Sequence, residues 1–234
     1  MSNTAHKNAR NALFFSVLLT VLVYALPLGT VIAYPLVLLS TLAHELGHGI
    51  AALMMGGGFE QFVLYSDGSG AAITTGNPGR FARAFISGGG LVGPAIAASG
   101  CFMAGRNGRA ARTTLVTVGA LLGLALVLLI RNAFGWFFVA SVAAGCIYTG
   151  LKAREDTAQL IVLFVGVQLA LSVFSRSDYL FTSVAITATG NAPSDVARMA
   201  DALFLPYWLW GLLCGGFSVW VLWRGIRTFL RNTA

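Results

Sequence analysis

Long apolar runs, separated by short polar or basic stretches, divide the chain into segments of similar length. The runs lie near residues 12–33, 35–55, 81–104, 112–130, 132–150, 158–175 and 205–223. A helix needs about 20 apolar residues to cross a bilayer. Because the runs are continuous rather than alternating, they favour helices over the strands of a barrel. The pattern predicts an all-α polytopic membrane protein, a bundle of about six to seven transmembrane helices.

Two polar connections between the runs predict local structure outside the bilayer. Residues 59–75 contain two short strand-like runs around Asp67-Gly68, a dipeptide typical of tight turns, and so predict a β-hairpin after the second span. Residues 176–204 form the longest polar stretch, a loop before the last span. Neither connection is long enough for a second domain, so residues 1–234 are expected to form a single transmembrane domain.

Composition supports a membrane location and excludes a nucleic-acid partner. The chain is 57% hydrophobic and only 10% charged, whereas about a quarter of the residues in a soluble domain are charged. The net charge of +7 comes from basic residues scattered between the apolar runs, as in juxtamembrane anchoring, and not from a basic stripe. We therefore expect an integral, multi-pass protein of a cell or inner membrane, with the lipid bilayer as its surroundings.

One apolar run carries ionisable residues at a metal-binding spacing, in the stretch STLAHELGHGIAALMMGGG. Its His44-Glu45-Leu46-Gly47-His48 segment follows the H-E-x-x-H pattern, which places both imidazoles on one helix face. Two nitrogen ligands and one oxygen ligand suit zinc, with a fourth position open for water. Glu45 beside that water can accept its proton. The motif therefore predicts a catalytic zinc site with His44 and His48 as ligands.

The third zinc ligand is expected to be a carboxylate, because the only other histidine, His6, belongs to a polar N-terminal tail. The acidic residues outside the motif are Glu60, Asp67, Glu155, Asp156, Asp178, Asp195 and Asp201. Glu60 and Asp67 fall on the hairpin, and Glu155 and Asp156 stand in a short loop beside basic residues. Asp178 and Asp195 stay open, since either faces the site if the polar loop folds back into the bundle.

Several further segments resemble the site-2 protease family of intramembrane zinc metalloproteases, in particular its compact branch without a PDZ domain. The resemblance extends from about residue 35 to residue 225 and rests on the zinc motif followed by five pieces in the same order. These are "SDGSG" in the hairpin, "ISGGGLVGPAIAA", "GVQLALSVFSRSD" with "PSDVARMAD", and "PYWLWGLL" in the last span. The zinc motif is the most specific of them.

The resemblance implies His44 and His48 as zinc ligands, Glu45 as the catalytic acid/base and one downstream aspartate as third ligand. It also implies that the 59–75 hairpin holds an extended segment of a membrane-anchored protein substrate by strand addition. The Asn-Pro-x-Pro-x-Leu-Asp-Gly context of the family's better-known members is absent, although "NAPSD" echoes it. We favour Asp178 over Asp195 because Asp178 directly follows a helix, whereas Asp195 also fits a helix N-cap.

The predicted function is hydrolysis of a peptide bond within or near the transmembrane segment of a membrane-anchored protein, by a zinc metallopeptidase. A polar cleft near His44 should admit water, and Ser40 and Thr41, one turn before the motif, either line it or serve helix packing. The alternative is a non-proteolytic metal-binding membrane protein with a transport, structural or pseudo-protease role. Transport normally calls for more polar groups within the spans than Gln168 and Asn132, and the intact Glu45 argues against a pseudo-protease.

Overall fold

A computed structural model describes residues 3–26, 29–76, 79–175, 180–187 and 190–231. Within these ranges the chain forms eight helices and four strands. In chain order they are α1 (Asn3–Ala25), α2 (Gly29–Met54), β1 (Gly58–Leu64), β2 (Gly70–Thr75), α3 (Arg80–Ala104), α4 (Gly108–Leu128), α5 (Ala133–Lys152), α6 (Glu155–Ser175), β3 (Val184–Thr187), β4 (Gly190–Pro193), α7 (Asp195–Leu203) and α8 (Tyr207–Arg231).

Six of the described helices are long and apolar enough to cross a membrane, namely α2, α3, α4, α5, α6 and α8. Helix α1 adds a shorter apolar segment, Ala9–Ala25. Large side chains such as Val127 and Phe137 point away from the bundle, as expected of a surface that faces lipid. These findings confirm the predicted all-α polytopic fold, and the chain is an integral, multi-pass membrane protein.

The two helices at the centre of the site, α2 and α3, approach each other through glycines. A Cβ atom on Gly47 of α2 would lie 2.3 Å from the carbonyl oxygen of Gly89 on α3, and one on Gly93 would lie 2.6 Å from that of Ala43. Either methyl group would force the backbones apart. Small residues at such crossings let membrane helices pack closely, and here they bring the backbone of α3 beside the histidine face of α2.

The predicted hairpin is present and lies along α2. Strands β1 and β2 pair antiparallel from Gly58–Thr75 to Leu64–Gly70, with an irregularity between Phe59 and Gln61. Its turn contains Gly68 at a φ of 89°, a left-handed conformation that favours glycine. The Thr41 hydroxyl of α2 donates a hydrogen bond of 2.7 Å to the Gly68 carbonyl. This hydrogen bond therefore attaches the hairpin turn to α2, one helical turn before the histidine motif.

The turn also has an internal polar contact at Asp67. The backbone N–H and the hydroxyl of Ser69 donate hydrogen bonds of 2.9 and 2.7 Å to one Asp67 carboxylate oxygen. These bonds lower the pKa of Asp67, because they favour its charged form. Asp67 thus serves the turn that its dipeptide predicted.

The polar connection before the last span is more ordered than the sequence predicted. Strands β3 and β4 form a second antiparallel hairpin, which leads directly into α7. The N-cap of α7 is Ser194, whose side chain accepts a hydrogen bond from the Ala197 N–H, so the N-cap role considered for Asp195 is wrong. Val196 and Met199 of α7 are buried in a cluster with residues of α3 and α8. This packing folds the connection back onto the bundle.

Candidate metal centre

His44 and His48 lie one turn apart on α2 and face the same side, as the motif predicted. Their Nε2 atoms are 3.1 Å apart, and both rings are largely shielded from solvent. Two ring nitrogens at this distance repel each other unless a proton or a cation lies between them. The pair is therefore arranged to share one positive species.

Helix α3 orients the His48 ring. The Nδ1 atom of His48 lies 2.8 Å from the carbonyl oxygen of Ile86. Since a carbonyl only accepts, Nδ1 carries a hydrogen, so that whenever the ring gives up its second proton the lone pair of Nε2 faces the site. Space for the ring comes from Gly90, where a Cβ atom would lie only 2.2 Å from His48 Nε2. The glycine-rich stretch of α3 thus lets the backbone lie against the site.

Asp195, the first residue of α7, completes the cluster from the opposite side. Its Oδ2 atom lies 3.1 Å from His44 Nε2 and 3.3 Å from His48 Nε2, and the residue is buried. Burial raises the pKa of Asp195, but the charge of His48 and hydrogen bonds from both imidazoles outweigh burial and hold the pKa well below its ordinary value. An ionised carboxylate therefore faces the two ring nitrogens.

The three groups fit a zinc ion by donor type and by spacing. His44, His48 and Asp195 form a group that can hold a metal ion. Ligand atoms at about 2.0–2.1 Å from a tetrahedral zinc are about 3.3 Å from each other, and the three separations here are 3.1, 3.1 and 3.3 Å. Two imidazole nitrogens and one carboxylate oxygen leave a fourth position open, as in catalytic zinc sites.

The structure does not place the other candidate carboxylates at the histidines. Asp178, the favoured third ligand, lies outside the described residues. Of the acidic side chains within the described part of the chain, Asp195 is the one grouped with the histidines. Asp156 stands at the start of α6, where Arg154 lies 3.9 Å away on an exposed surface. Of the two candidates that the sequence left open, the structure places Asp195 at the histidines and does not describe Asp178.

A cavity of about 220 Å³ opens beside the cluster. Its walls include Ser40, Thr41, His44, Glu45, Asp67, Gly68, Ser69, Gly70, Leu91, Pro94, Ser172, Val173, Leu180, Ile186 and Ser218. The predicted polar cleft near His44 is confirmed, and Ser40 and Thr41 line it. The buried Glu45 reaches the same cavity, and a Cβ atom on Gly70 would lie 2.9 Å from Glu45 Cγ, so the hairpin touches this carboxylate side chain.

Sequence reasoning missed Ser172 of α6 and Ser218 of α8, which bring two further hydroxyl residues to the cavity. Single serines are common in membrane helices, where they serve packing. Ser172 stands in the segment "GVQLALSVFSRSD" that carries the family resemblance, but the resemblance assigned it no role. Ser218 belongs to no motif, so no signal in the sequence separated it from ordinary packing residues.

Comparison with protein families places this geometry in context. A family model described as Peptidase M50B-like matches residues 14–225, from α1 to the second half of α8. The chain belongs to this family. No curated protein and no solved structure shows a significant match. The Peptidase M50B-like match confirms the resemblance to site-2 proteases and identifies the chain, in general terms, as a site-2 protease-like membrane metallopeptidase.

Proposed function

We propose that this Peptidase M50B-like protein is a zinc metallopeptidase that cleaves a membrane-anchored protein within or near its transmembrane segment. One observation carries the proposal. Glu45, which directly follows His44 in the chain, lies with His44 on the wall of the same cavity. A general base beside a metal-binding group, in a cavity among membrane helices, is an arrangement that supports metal-assisted peptide hydrolysis.

The proposed zinc ligands are His44, His48 and Asp195. Asp195 takes the place of Asp178 in this proposal because its carboxylate already lies within 3.3 Å of both ring nitrogens. When bound, zinc polarises the carbonyl of the scissile bond and lowers the pKa of a bound water to about 7. The N–H of His48 toward Ile86 keeps the ring in the tautomer that binding needs.

Glu45 moves the protons of the reaction. Its carboxylate accepts one proton from the attacking water as the new bond to the carbonyl carbon forms. It then gives that proton to the amide nitrogen as the carbon–nitrogen bond breaks, which leaves a carboxylic acid and an amine; transfer of the acid's proton to the amine gives the final carboxylate and ammonium. Gly70 leaves room for this side chain, which therefore lies beside the hairpin, where the substrate is expected to lie.

Strand β2 offers an edge on which the substrate would bind, since no other strand of the described residues pairs with its outer side. The N–H groups of Phe62 and Leu64 on β1 point away from β2, toward Leu129 and the Asn132 side chain. Because antiparallel pairs alternate, their partners Ala72 and Gly70 direct their own backbone groups away from β1, to the outer edge of β2. An extended peptide segment adds at such an edge through its main chain.

The test is cleavage of a membrane-anchored reporter by the Glu45→Gln protein, with bound zinc measured in the same preparation. Loss of the general base should lower the rate about 10²-fold or more, with zinc retained. Glu60→Gln, which removes an exposed carboxylate from β1, is the matched control and should cleave normally. Full cleavage by the Glu45→Gln protein with zinc bound would refute the proposal, as would a wild-type protein that binds zinc and cleaves no reporter.

A further inference from the structure

The connection between α4 and α5 runs beside β1 and pairs with it at one isolated bridge. The Phe62 N–H donates to the Leu129 carbonyl at 2.8 Å, and the Arg131 N–H donates to the Phe62 carbonyl at 3.4 Å. Phe62 also forms a parallel bridge with Ile130. Both residues are buried in one apolar cluster. The outer edge of β1 is therefore closed by residues 129–131.

Asn132 continues this closure with its side chain. Its Oδ1 atom accepts a hydrogen bond of 3.3 Å from the Leu64 N–H, and its Nδ2 atom donates one of 2.6 Å to the Leu64 carbonyl. A carboxamide offers one acceptor and one donor side by side, as a backbone amide does. The side chain thus pairs with Leu64 as the backbone of one more residue would.

Asn132 bonds to Leu64 where an N-cap residue would ordinarily bond to its own helix. Asn132 is the N-cap of α5, yet its side chain makes no capping hydrogen bond. By contrast Asn107, the N-cap of α4, accepts a bond of 2.7 Å from the Ala110 N–H in the usual way. Gly135 leaves room for the displaced carboxamide, since a Cβ atom there would lie 2.6 Å from Asn132 Oδ1.

The contact leads to the catalytic carboxylate in three steps. Asn132 holds Leu64, Leu64 pairs with Gly70 across the hairpin, and Gly70 contacts Glu45. We infer that Asn132 is a positioning residue: it fixes the end of the hairpin that lies against Glu45 and thereby the register in which β2 presents a substrate. The inference rests on the proposed function for its catalytic consequence, whereas its structural part stands on the contacts alone.

The experiment compares full-length Asn132→Ala and Asn107→Ala proteins, each of which loses an N-cap asparagine. Asn132→Ala should raise amide hydrogen exchange at Leu64 at least 10-fold and lower kcat/KM for the reporter at least 10-fold, with zinc content unchanged. Asn107→Ala should leave Leu64 exchange and kcat/KM at wild-type values. Asn132→Asp keeps the acceptor for the Leu64 N–H and loses the donor to its carbonyl, so both effects should be intermediate.

Three outcomes would overturn the inference. Wild-type exchange at Leu64 in the Asn132→Ala protein would show that the contact does not hold the hairpin. Loss of zinc together with activity would show a general structural role, as would equal effects of Asn107→Ala. Exchange at Leu64 does not depend on proteolysis, so a wild-type protein without protease activity would contradict the proposed function and leave the contact to be judged by exchange.

Discussion

Substitution of Gly90 by alanine tests how closely α3 fits the metal centre. The new Cβ atom would lie 2.2 Å from Nε2 and 2.3 Å from Cε1 of His48, whereas ordinary van der Waals contact begins at 3.4 Å. The ring must therefore move by about 1.2 Å, or the helices must separate. Zinc–ligand distances tolerate about 0.2 Å. His48 should thus be lost as a ligand in the Gly90→Ala protein.

The expected loss of zinc affinity is large. Removing a group that only orients a ligand costs 10- to 100-fold in affinity, so displacing the ligand itself should cost about 100-fold or more. The assay is equilibrium competition for zinc between the purified protein in detergent and a chelator of known affinity. Folding is monitored in parallel by helical circular dichroism, which should stay at the wild-type value.

Gly88 supplies the matched control, two residues earlier on the same helix. A Cβ atom there would make only an ordinary contact of 3.6 Å with Met199 Cε. Gly88→Ala should keep wild-type zinc affinity, and the greater helix propensity of alanine should leave stability equal or raise it by up to about 1 kcal/mol. Wild-type affinity in the Gly90→Ala protein, or equal losses in both, would refute the argument from Gly90.

Two further predictions concern the substrate edge and the start of α7. Ala72→Pro removes an N–H that points to the outer edge of β2, so it should abolish reporter cleavage and leave the hairpin intact. The control Ala71→Pro removes an N–H directed at Val63 and should disrupt the hairpin itself. Normal cleavage by the Ala72→Pro protein would contradict strand addition. Ser194→Ala removes the α7 N-cap and should cost about 1 kcal/mol of stability in chemical denaturation; an unchanged unfolding midpoint would contradict it.

The sequence predicted those parts of the site that depend on local spacing. The histidine pair follows from helical periodicity, and the first hairpin follows from the Asp67-Gly68 turn between two short strand-like runs. The glycine-rich stretch of α3 was one of the segments that carry the resemblance to site-2 proteases. It did not indicate that Gly90 is the residue that accommodates His48, because that depends on the crossing of α2 and α3.

Contacts between distant segments could not be predicted in the same way. Asp195 reaches the histidines because α7 buries Val196 and Met199 between other helices, and a nine-residue amphipathic helix inside a polar connection gives a weak signal. The preference for Asp178 rested on its place directly after a helix, a local argument about a non-local contact. Asn132 stood out as a polar residue, but its bonds to Leu64 join residues 68 positions apart.

The most direct test of the metal centre is the zinc content, per chain, of purified Asp195→Asn and Asp178→Asn proteins measured side by side in detergent. A ligand set of His44, His48 and Asp195 predicts that Asp195→Asn loses most of its zinc after dialysis against a weak chelator, while Asp178→Asn keeps one ion per chain. Full zinc content in the Asp195→Asn protein, with loss in the Asp178→Asn protein, would contradict this assignment.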